Sequence, residues 1–469
     1  MTGTPVWIAA SRSFLASRSF LAAAALVALA ASCAPHAGPA PPVPPPTTTA
    51  PVPAPPSPSR QPEPHPPAPE AKAPGQEPRI SVGLAWDLHG VTVDPEGAAV
   101  VEGDSRESLS ANEQLVVTLE GGKAVARAVA GRMRWRTSIA ADETLSVTPA
   151  EGTTIGWNGR QWRGQFQIFI NPRGKLTLVT RLPLELYLAG VVPGEIGSLA
   201  DDQLEAGRAQ AIAARSYTLF YRGRRAAEGF DVYGTVEDQL YGPLESERPL
   251  ATRCVESTAG MVALSGGQPI RANYCSTCGG ITAEVWEAWP ADPLPYLVSH
   301  RDRGDSAKGA SQEDLCAASP HFRWREEWSA TEFLTNLEDF GPANGVPLPR
   351  GGIGRLVDVR VIARSRSGRV WRLAVETTHG EMVVPAWSLR QVLRRSGNPS
   401  AILRSNLFKV GVRRDAGSGR PVTVVASGAG SGHGVGLCQI GALRMAREGR
   451  GAEEIIHHYY PHVEIRRLY

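Results

Sequence analysis

Between Leu182 and Tyr217 the chain reads LPLELYLAGVVPGEIGSLADDQLEAGRAQAIAARSY: an apolar run, a Pro-Gly pair and an Ala-rich segment in direct succession. The apolar run reads as strand-like, Pro193-Gly194 as a turn, and Asp201 to roughly Arg222 as a helix. Ala206, Ala209, Ala213, Tyr217 and Phe220 recur there at spacings of three and four. Asp201 and Asp202 at its start suit the helix dipole. The turn carries one carboxylate, Glu195, flanked by Val191, Val192 and Ile196. Desolvation of a lone acid favours its neutral form and raises its pKa. A carboxylic acid that keeps its proton near neutrality is what scission of a glycosidic bond requires.

Around this centre the pattern is mixed. Residues 79–180 hold short alternating runs such as ISVGLAW, QLVVTL, QFQIFI and KLTLVT, bounded by Gly, Asp and Asn, which predict strands and hairpins. Further β-rich segments come after the helix (GMVALSGG, LVDVRVIARS, VWRLAVETTHGEMVVP), and the spacing predicts helices over Gly436–Arg447 and Ala452–Tyr459. The expected fold class is α+β, with a β-rich N-terminal portion (79–180) integral to a catalytic region (181–469) that has a central Ala-rich helix and C-terminal helices.

The N-terminus reads as an export signal. Arg12 and Arg18 precede a twelve-residue apolar run, Phe20 to Ala31, too short to span a bilayer as a helix. Leu29-Ala30-Ala31-Ser32-Cys33 resembles a bacterial lipobox, so residues 1–33 would form a signal ending in a lipidated Cys33; ordinary signal cleavage nearby is the alternative. Residues 34–78 carry 19 of the chain's 39 prolines and read as a disordered polyproline-rich linker. At ~3.1 Å per residue it would reach on the order of 140 Å from a membrane anchor. With 49 Lys and Arg against 46 Asp and Glu, and no basic stripe, the chain offers no electrostatic footprint for nucleic acid.

Beyond Cys33 there are five cysteines, Cys254, Cys275, Cys278, Cys316 and Cys438. In an exported protein one or two disulfides are the expectation. Two alternatives stand beside it. Cys275-Ser-Thr-Cys278 has zinc-ligand spacing, with Cys316 and Cys438 able to complete four thiolates, or the thiols are free and buried. No metal and no cofactor enter the expected chemistry. His457, His458 and His462 read as a terminal packing element, since adjacent histidines point apart on a helix. Trp286, Trp289, Trp324 and Trp328 serve either a saccharide groove or core packing.

LPLELYLAGVVPGEIG, QAIAARSY, STAGMVALSGGQPIRANYCSTCGG, DLCAASPHFRW, LRSNLF, GHGVGLCQIGALRMA and HHYYP, in that order, resemble the SpoIID/LytB family of cell-wall proteins over roughly residues 79–469. The resemblance implies a peptidoglycan lytic transglycosylase, with Glu195 at the family's catalytic position. One Glu would protonate the departing glycosidic oxygen and then take the proton of the muramoyl 6-hydroxyl, leaving a 1,6-anhydro end. Gln210, Arg215, Ser216 and Tyr217 lie in the family's helix motif, and Gln239 and Tyr241 match its Gln-x-Tyr pattern. His433, between glycines, and Gln439 lie in GHGVGLCQIGALRMA. All are candidates to bind glycan or orient Glu195, with core packing or ion pairing as their plainer use. Some clostridial members carry a zinc cluster just before Gln-x-Tyr; Tyr233, Glu237 and Asp238 stand there instead, so that site is expected to be absent. The family's other branch enhances a cell-wall amidase, which makes a non-catalytic glycan-binding role the alternative. Glycan strands, a membrane reached through the lipid anchor and an amidase are the implied partners. An anchored lipoprotein facing the periplasm or wall is the implied location.

Overall fold

The computed structural model describes residues 75–304 and 313–469. The expected signal, Cys33 and all but the last residues of the proline-rich stretch lie outside the described residues. Gly75 already belongs to the body: its N–H donates to the Leu468 carbonyl at 2.9 Å.

The fold is α+β, as expected. The N-terminal strands build a seven-stranded and a six-stranded sheet, whose inward residues, such as Ile80, Val82, Leu115, Val147, Phe166 and Leu178, are at most 1% exposed. Alternation along each strand produces this: Gly90–Pro95 runs exposed, buried, exposed, buried through GVTVDP. The sheets are continuous with the helical part of the body. Val232–Tyr233, from beyond the central helix, pairs in parallel with Arg79–Leu88 at Val82↔Val232, and Leu176–Pro183 runs directly into the first helix.

Seven α-helices are described: α1 Leu184–Ile196, α2 Leu204–Phe220, α3 Pro249–Ser257, α4 Ala330–Phe340, α5 Ala386–Val392, α6 Gln439–Arg447 and α7 Ala452–Tyr459. α1 corrects the expectation of a strand-like run ending in a Pro-Gly turn. Leu184, Tyr187, Leu188, Ala189, Val191, Val192 and Ile196 are buried, and Leu186 on the exposed side is apolar too, so the helix shows little polar face by which to be recognised. Pro193 sits inside its last turn and Gly197, at φ 81°, ends it. α2 forms where expected but shorter: a 3₁₀ turn takes Asp201–Gln203 and the α-helix runs from Leu204 to Phe220 rather than to about Arg222. Of the two C-terminal helices, α7 has the expected limits and α6 starts at Gln439 rather than Gly436.

A second apolar core gathers Trp328, Phe333, Leu337, Val370, Leu373, Val384, Leu389, Phe408 and Val424. It lies between the sheets Arg323–Ser329/Phe408–Arg414/Pro421–Ala429 and Leu356–Arg364/Val370–Thr377/Gly380–Pro385. The chain enters and leaves it beside one seam: Tyr274–Cys275, before it, pairs in parallel with Leu437–Cys438, after it. Trp324 and Trp328 belong to this core, which settles their use as packing. Buried Arg369 ties it to the seam, donating to the carbonyls of Cys278 at 2.9 Å and Ile281 at 3.0 Å. Among the described residues no helix is long and apolar enough to cross a membrane.

Candidate functional site

Glu195 projects from the last turn of α1, partly exposed, between exposed Gly194 and Gly197. Its carboxylate accepts from the Leu240 backbone N–H at 2.8 Å and from the Tyr274 hydroxyl. Burial raises its pKa above the ordinary carboxylate value, and these two hydrogen bonds only partly oppose that. No cation and no second carboxylate contribute to the shift. The site is therefore a solitary acid, biased toward keeping its proton, with two donors placed to steady the carboxylate once the proton leaves.

The loop that delivers the Leu240 N–H lies directly across α1. A Cβ on Gly190 would meet the Tyr241 ring at 2.5 Å and the Gly242 carbonyl at 2.9 Å, and the Gly242 N–H donates to the Gly190 carbonyl at 3.2 Å. Gly190 is thus the notch that admits this loop. Gly190→Ala is expected to destabilise the protein by about 1–3 kcal/mol through overpacking. Denaturant unfolding would measure this, and a loss under about 0.5 kcal/mol, within the range of ordinary surface substitutions, would mean the notch is not needed.

Gln239 and Tyr274 form the layer beneath. The Gln239 side chain, fully buried, accepts from Thr218 Oγ1 at 2.6 Å and Tyr187 Oη at 3.3 Å, and donates to the Ala214 carbonyl at 3.3 Å and to Tyr274 Oη at 3.0 Å. The Tyr274 hydroxyl, accepting from Gln239, has its own proton free for Glu195. Tyr241 packs on Tyr187 and Trp162, with ring centres 5.2 and 5.7 Å away, and Tyr217 packs on Tyr221 and Tyr274.

The other sequence candidates are brought near this layer without facing solvent. Gln210 and Gln439 bridge α2 to α6 at 3.4 Å, both buried. Ser216 Oγ donates to the Ile212 carbonyl and accepts from the Ala263 N–H. Arg215, with no exposure, is held bidentately by Glu185 at 2.8 and 2.6 Å. In this structure Gln210, Arg215, Ser216 and Gln239 have no exposed surface with which to touch a glycan. Each spends its polar atoms inside the fold, the plainer of the uses left open by the sequence.

His433 takes the packing role. Its Nδ1 accepts from the Val435 N–H at 3.0 Å, and its ring donates to the Tyr274 carbonyl. Burial, reinforced by Arg390, Arg271 and Arg369, lowers its pKa to about 3, so a neutral ring clamps the Tyr274 strand. Trp289 stacks on it with ring centres 4.7 Å apart. Gly434, at φ 81°, leaves the space that the Arg369 guanidinium fills.

Tyr274 is the functional candidate that sequence reasoning missed, and Leu240 enters only through its backbone. Two surface cavities, of about 550 Å³ beside Glu284, Leu294 and Arg366 and about 590 Å³ beside Leu334, Arg355 and Arg420, are not lined by Glu195. Of the three options, disulfides, Cys₄ zinc and free buried thiols, the structure shows the last: all five described cysteines are free and buried. The expected disulfides are absent: the sulfurs of Cys278 and Cys316 stand 3.7 Å apart, well beyond bonding distance of about 2.05 Å, and Cys254 bonds the Leu204 carbonyl elsewhere. Cys278, Cys316 and Cys438 gather instead with Asp302 into a set of groups that could hold a metal.

Residues 172–264, which contain α1, Glu195 and α2, match the SpoIID family, described as Stage II sporulation protein. Residues 283–436, which contain the second core, match a domain family of unknown function, DUF8618. An uncharacterized protein of Brachyspira hyodysenteriae is 27% identical over 69% of this chain and 76% of its own length. Stage II sporulation protein D of Bacillus subtilis is 26% identical over 61% of this chain and 75% of its own. The Amidase enhancer of the same organism is 28% identical over 58% of this chain, but the match spans only 39% of that longer protein. With the Glu195-bearing helix inside the matched segment and two curated relatives aligned over three quarters of their length, the chain carries a SpoIID-family domain over residues 172–264.

Proposed function

We propose that this protein is a lytic transglycosylase that cleaves peptidoglycan glycan between MurNAc and GlcNAc, with Glu195 as the general acid and then the general base. The observation that carries the reading is a single carboxyl kept toward its neutral form by burial, without an ion-pair partner, and hydrogen-bonded by Leu240 N–H and Tyr274. A hydrolase of the usual kind needs two carboxylates; a transglycosylase works with one. Glu195 gives its proton to the leaving glycosidic oxygen as the C1–O bond breaks. The carboxylate then removes the proton of the muramoyl 6-hydroxyl while that oxygen bonds to C1, and no water is consumed. The products are a 1,6-anhydro-MurNAc end and a free 4-hydroxyl. Leu240 N–H and Tyr274 O–H stabilise the carboxylate that exists between the two transfers.

Incubating the purified protein with glycan strands stripped of stem peptides, with mass analysis of the ends, tests the reading; anhydro ends are expected, and intact strands would refute it. Tyr274→Phe removes one donor to the carboxylate, whose loss is worth about 1.5–3 kcal/mol for a charged acceptor, so cleavage is expected to fall roughly 10–100-fold. The high-pH limb of the pH–rate profile is expected to move up, because Tyr274 holds the Glu195 pKa down. A rate drop with an unmoved limb would assign Tyr274 to folding alone.

The similarity to the Amidase enhancer supports a second reading, a non-catalytic glycan binder that stimulates a wall amidase. Strand binding without anhydro ends, together with acceleration of an added amidase, would favour it. Under either reading we place the protein outside the cytoplasm, anchored through Cys33.

A further inference from the structure

The densest group of metal-ligating atoms lies away from Glu195. Cys278, Asp302, Cys316 and Cys438 each offer one atom, and the four atoms lie within 4.8 Å of one another. All four residues are at most 1% exposed. They come from four segments: the turn after the Tyr274 strand, two points on the chain leading to the second core, and the residue that opens α6.

Their spacing has a chemical meaning. A tetrahedral ion with metal–sulfur bonds of about 2.3 Å holds neighbouring sulfurs about 3.8 Å apart; Cys278 Sγ and Cys316 Sγ are 3.7 Å apart. Backbone amides point at the sulfurs as they do at thiolates: Cys278 N–H donates to Cys438 Sγ at 3.2 Å, and Gly280 N–H to Cys278 Sγ at 3.4 Å. Gly279 and Gly280, at φ 85° and 97°, make the turn that aims the second of these. The carboxylate is oriented from behind. Asp302 Oδ1 accepts from Tyr459 Oη at 3.0 Å and lies 3.2 Å from His458 Nε2, while Oδ2 accepts from Cys278 Sγ at 2.9 Å, the contact that a shared cation would replace. Such an outer layer of hydrogen bonds is how proteins fix a ligating carboxylate. Nearby Gly441 lets α6 approach, since a side chain there would collide with the Tyr459 hydroxyl and crowd Asp302.

Neither plainer use accounts for the group. A disulfide between any two of the three cysteines would strand the third thiol beside a buried carboxylate. Three free thiols would leave the Asp302 charge in the interior with hydrogen bonds from Tyr459 and Cys278 but, among the described residues, one imidazole as its potential cation in contact. We propose that Cys278, Asp302, Cys316 and Cys438 bind a zinc-class divalent cation. This departs from the expectation of no metal, and it replaces Cys275 of the C-x-x-C pair by an aspartate. Four protein ligands close the coordination sphere, so the ion is structural. It staples the Tyr274 turn to α6, with His458 and Tyr459 of α7 as its outer support.

The test uses the full chain purified without chelator. Elemental analysis is expected to give one zinc per chain, and denaturation in chelator to release Cys278, Cys316 and Cys438 as reduced thiols. Cobalt(II) in place of zinc should give the intense visible bands of a tetrahedral thiolate site together with thiolate-to-cobalt charge transfer. Asp302→Asn and Cys316→Ser should each weaken metal retention in a chelator competition by tenfold or more. Should either variant fail to fold, the cobalt spectrum of the unaltered chain decides. A folded chain that takes up neither zinc nor cobalt would overturn the proposal, whether its thiols are free or its intact mass is lower by the two hydrogens of a disulfide.

Discussion

Glu195→Gln is expected to abolish formation of anhydro-MurNAc ends while leaving the protein at least as stable as before at neutral pH. Both halves come from the same observation. General acid–base assistance contributes about 10²–10⁴-fold, and one side chain here performs both transfers, so the loss should reach or exceed the upper part of that range. The amide retains the shape and still accepts from the Leu240 N–H, but has no proton to give. The stability half comes from the sign of the pKa shift. Burial raises the folded value above the ordinary 4.5, so the folded state holds its proton more tightly than the unfolded chain. Glu195 therefore costs nothing below pH 4.5 and destabilises increasingly as pH rises from there through the folded value. Glutamine, neutral throughout, removes that penalty, and the difference between the two proteins should grow across that window and then level off. Thermal unfolding of both across pH, beside glycan cleavage, reads the two effects. A variant that is inactive because it is unfolded, or one that still makes anhydro ends, would break the argument.

How much of the molecule is legible in its residues depends on how local each signal is. The alternating runs of 79–180 form strands, and the small-residue stripe of Ala206, Ala209 and Ala213 forms α2, because periodicity within one element fixes them. α1 is misread as a strand because apolar residues on nearly every side, the exposed Leu186 included, remove the polar periodicity that separates helix from strand. Its length of 13 residues is the better guide. α4 also escapes a reading by periodicity, although Ser329-Ala-Thr-Glu332 is a helix-start pattern, and Ser329 Oγ does accept from the Glu332 N–H at 3.1 Å. Tyr274 carries no local mark at all. It reaches Glu195 only through the pairing of Tyr274–Cys275 with Leu437–Cys438 and the His433 clamp, both long-range contacts. The metal-type group is half visible: Cys278, Cys316 and Cys438 are legible as ligands, whereas Asp302 is selected by its position against α7.

Arg215→Ala is expected to be the most damaging single change to stability, costing about 3–5 kcal/mol, the usual result of stripping one partner from a buried pair. The guanidinium has no exposure and does more than pair with Glu185. It also donates to the Met261 carbonyl at 3.0 Å, while Glu185 accepts from Tyr469 Oη at 2.6 Å and from the Gly260 N–H at 3.2 Å. One charge pair thus joins α1, α2, the strand Met261–Ser265 and the last residue of the chain. Burial alone would raise the Glu185 carboxyl, but Arg215 outweighs it and holds the pKa below the ordinary 4.5. The sign is opposite to that at Glu195: the contribution is present above pH 4.5 and is lost as pH falls through the folded value, so the advantage of the unaltered protein over Arg215→Ala should shrink on acidification. Arg215→Lys keeps the charge but not the two-pronged geometry and should fall between them. These measurements also separate the buried role from glycan contact. If Arg215 touched substrate, lysine would weaken strand binding in a protein as stable as the original; if it is the internal clamp, denaturant midpoints fall first and strand binding by the fraction still folded is unchanged.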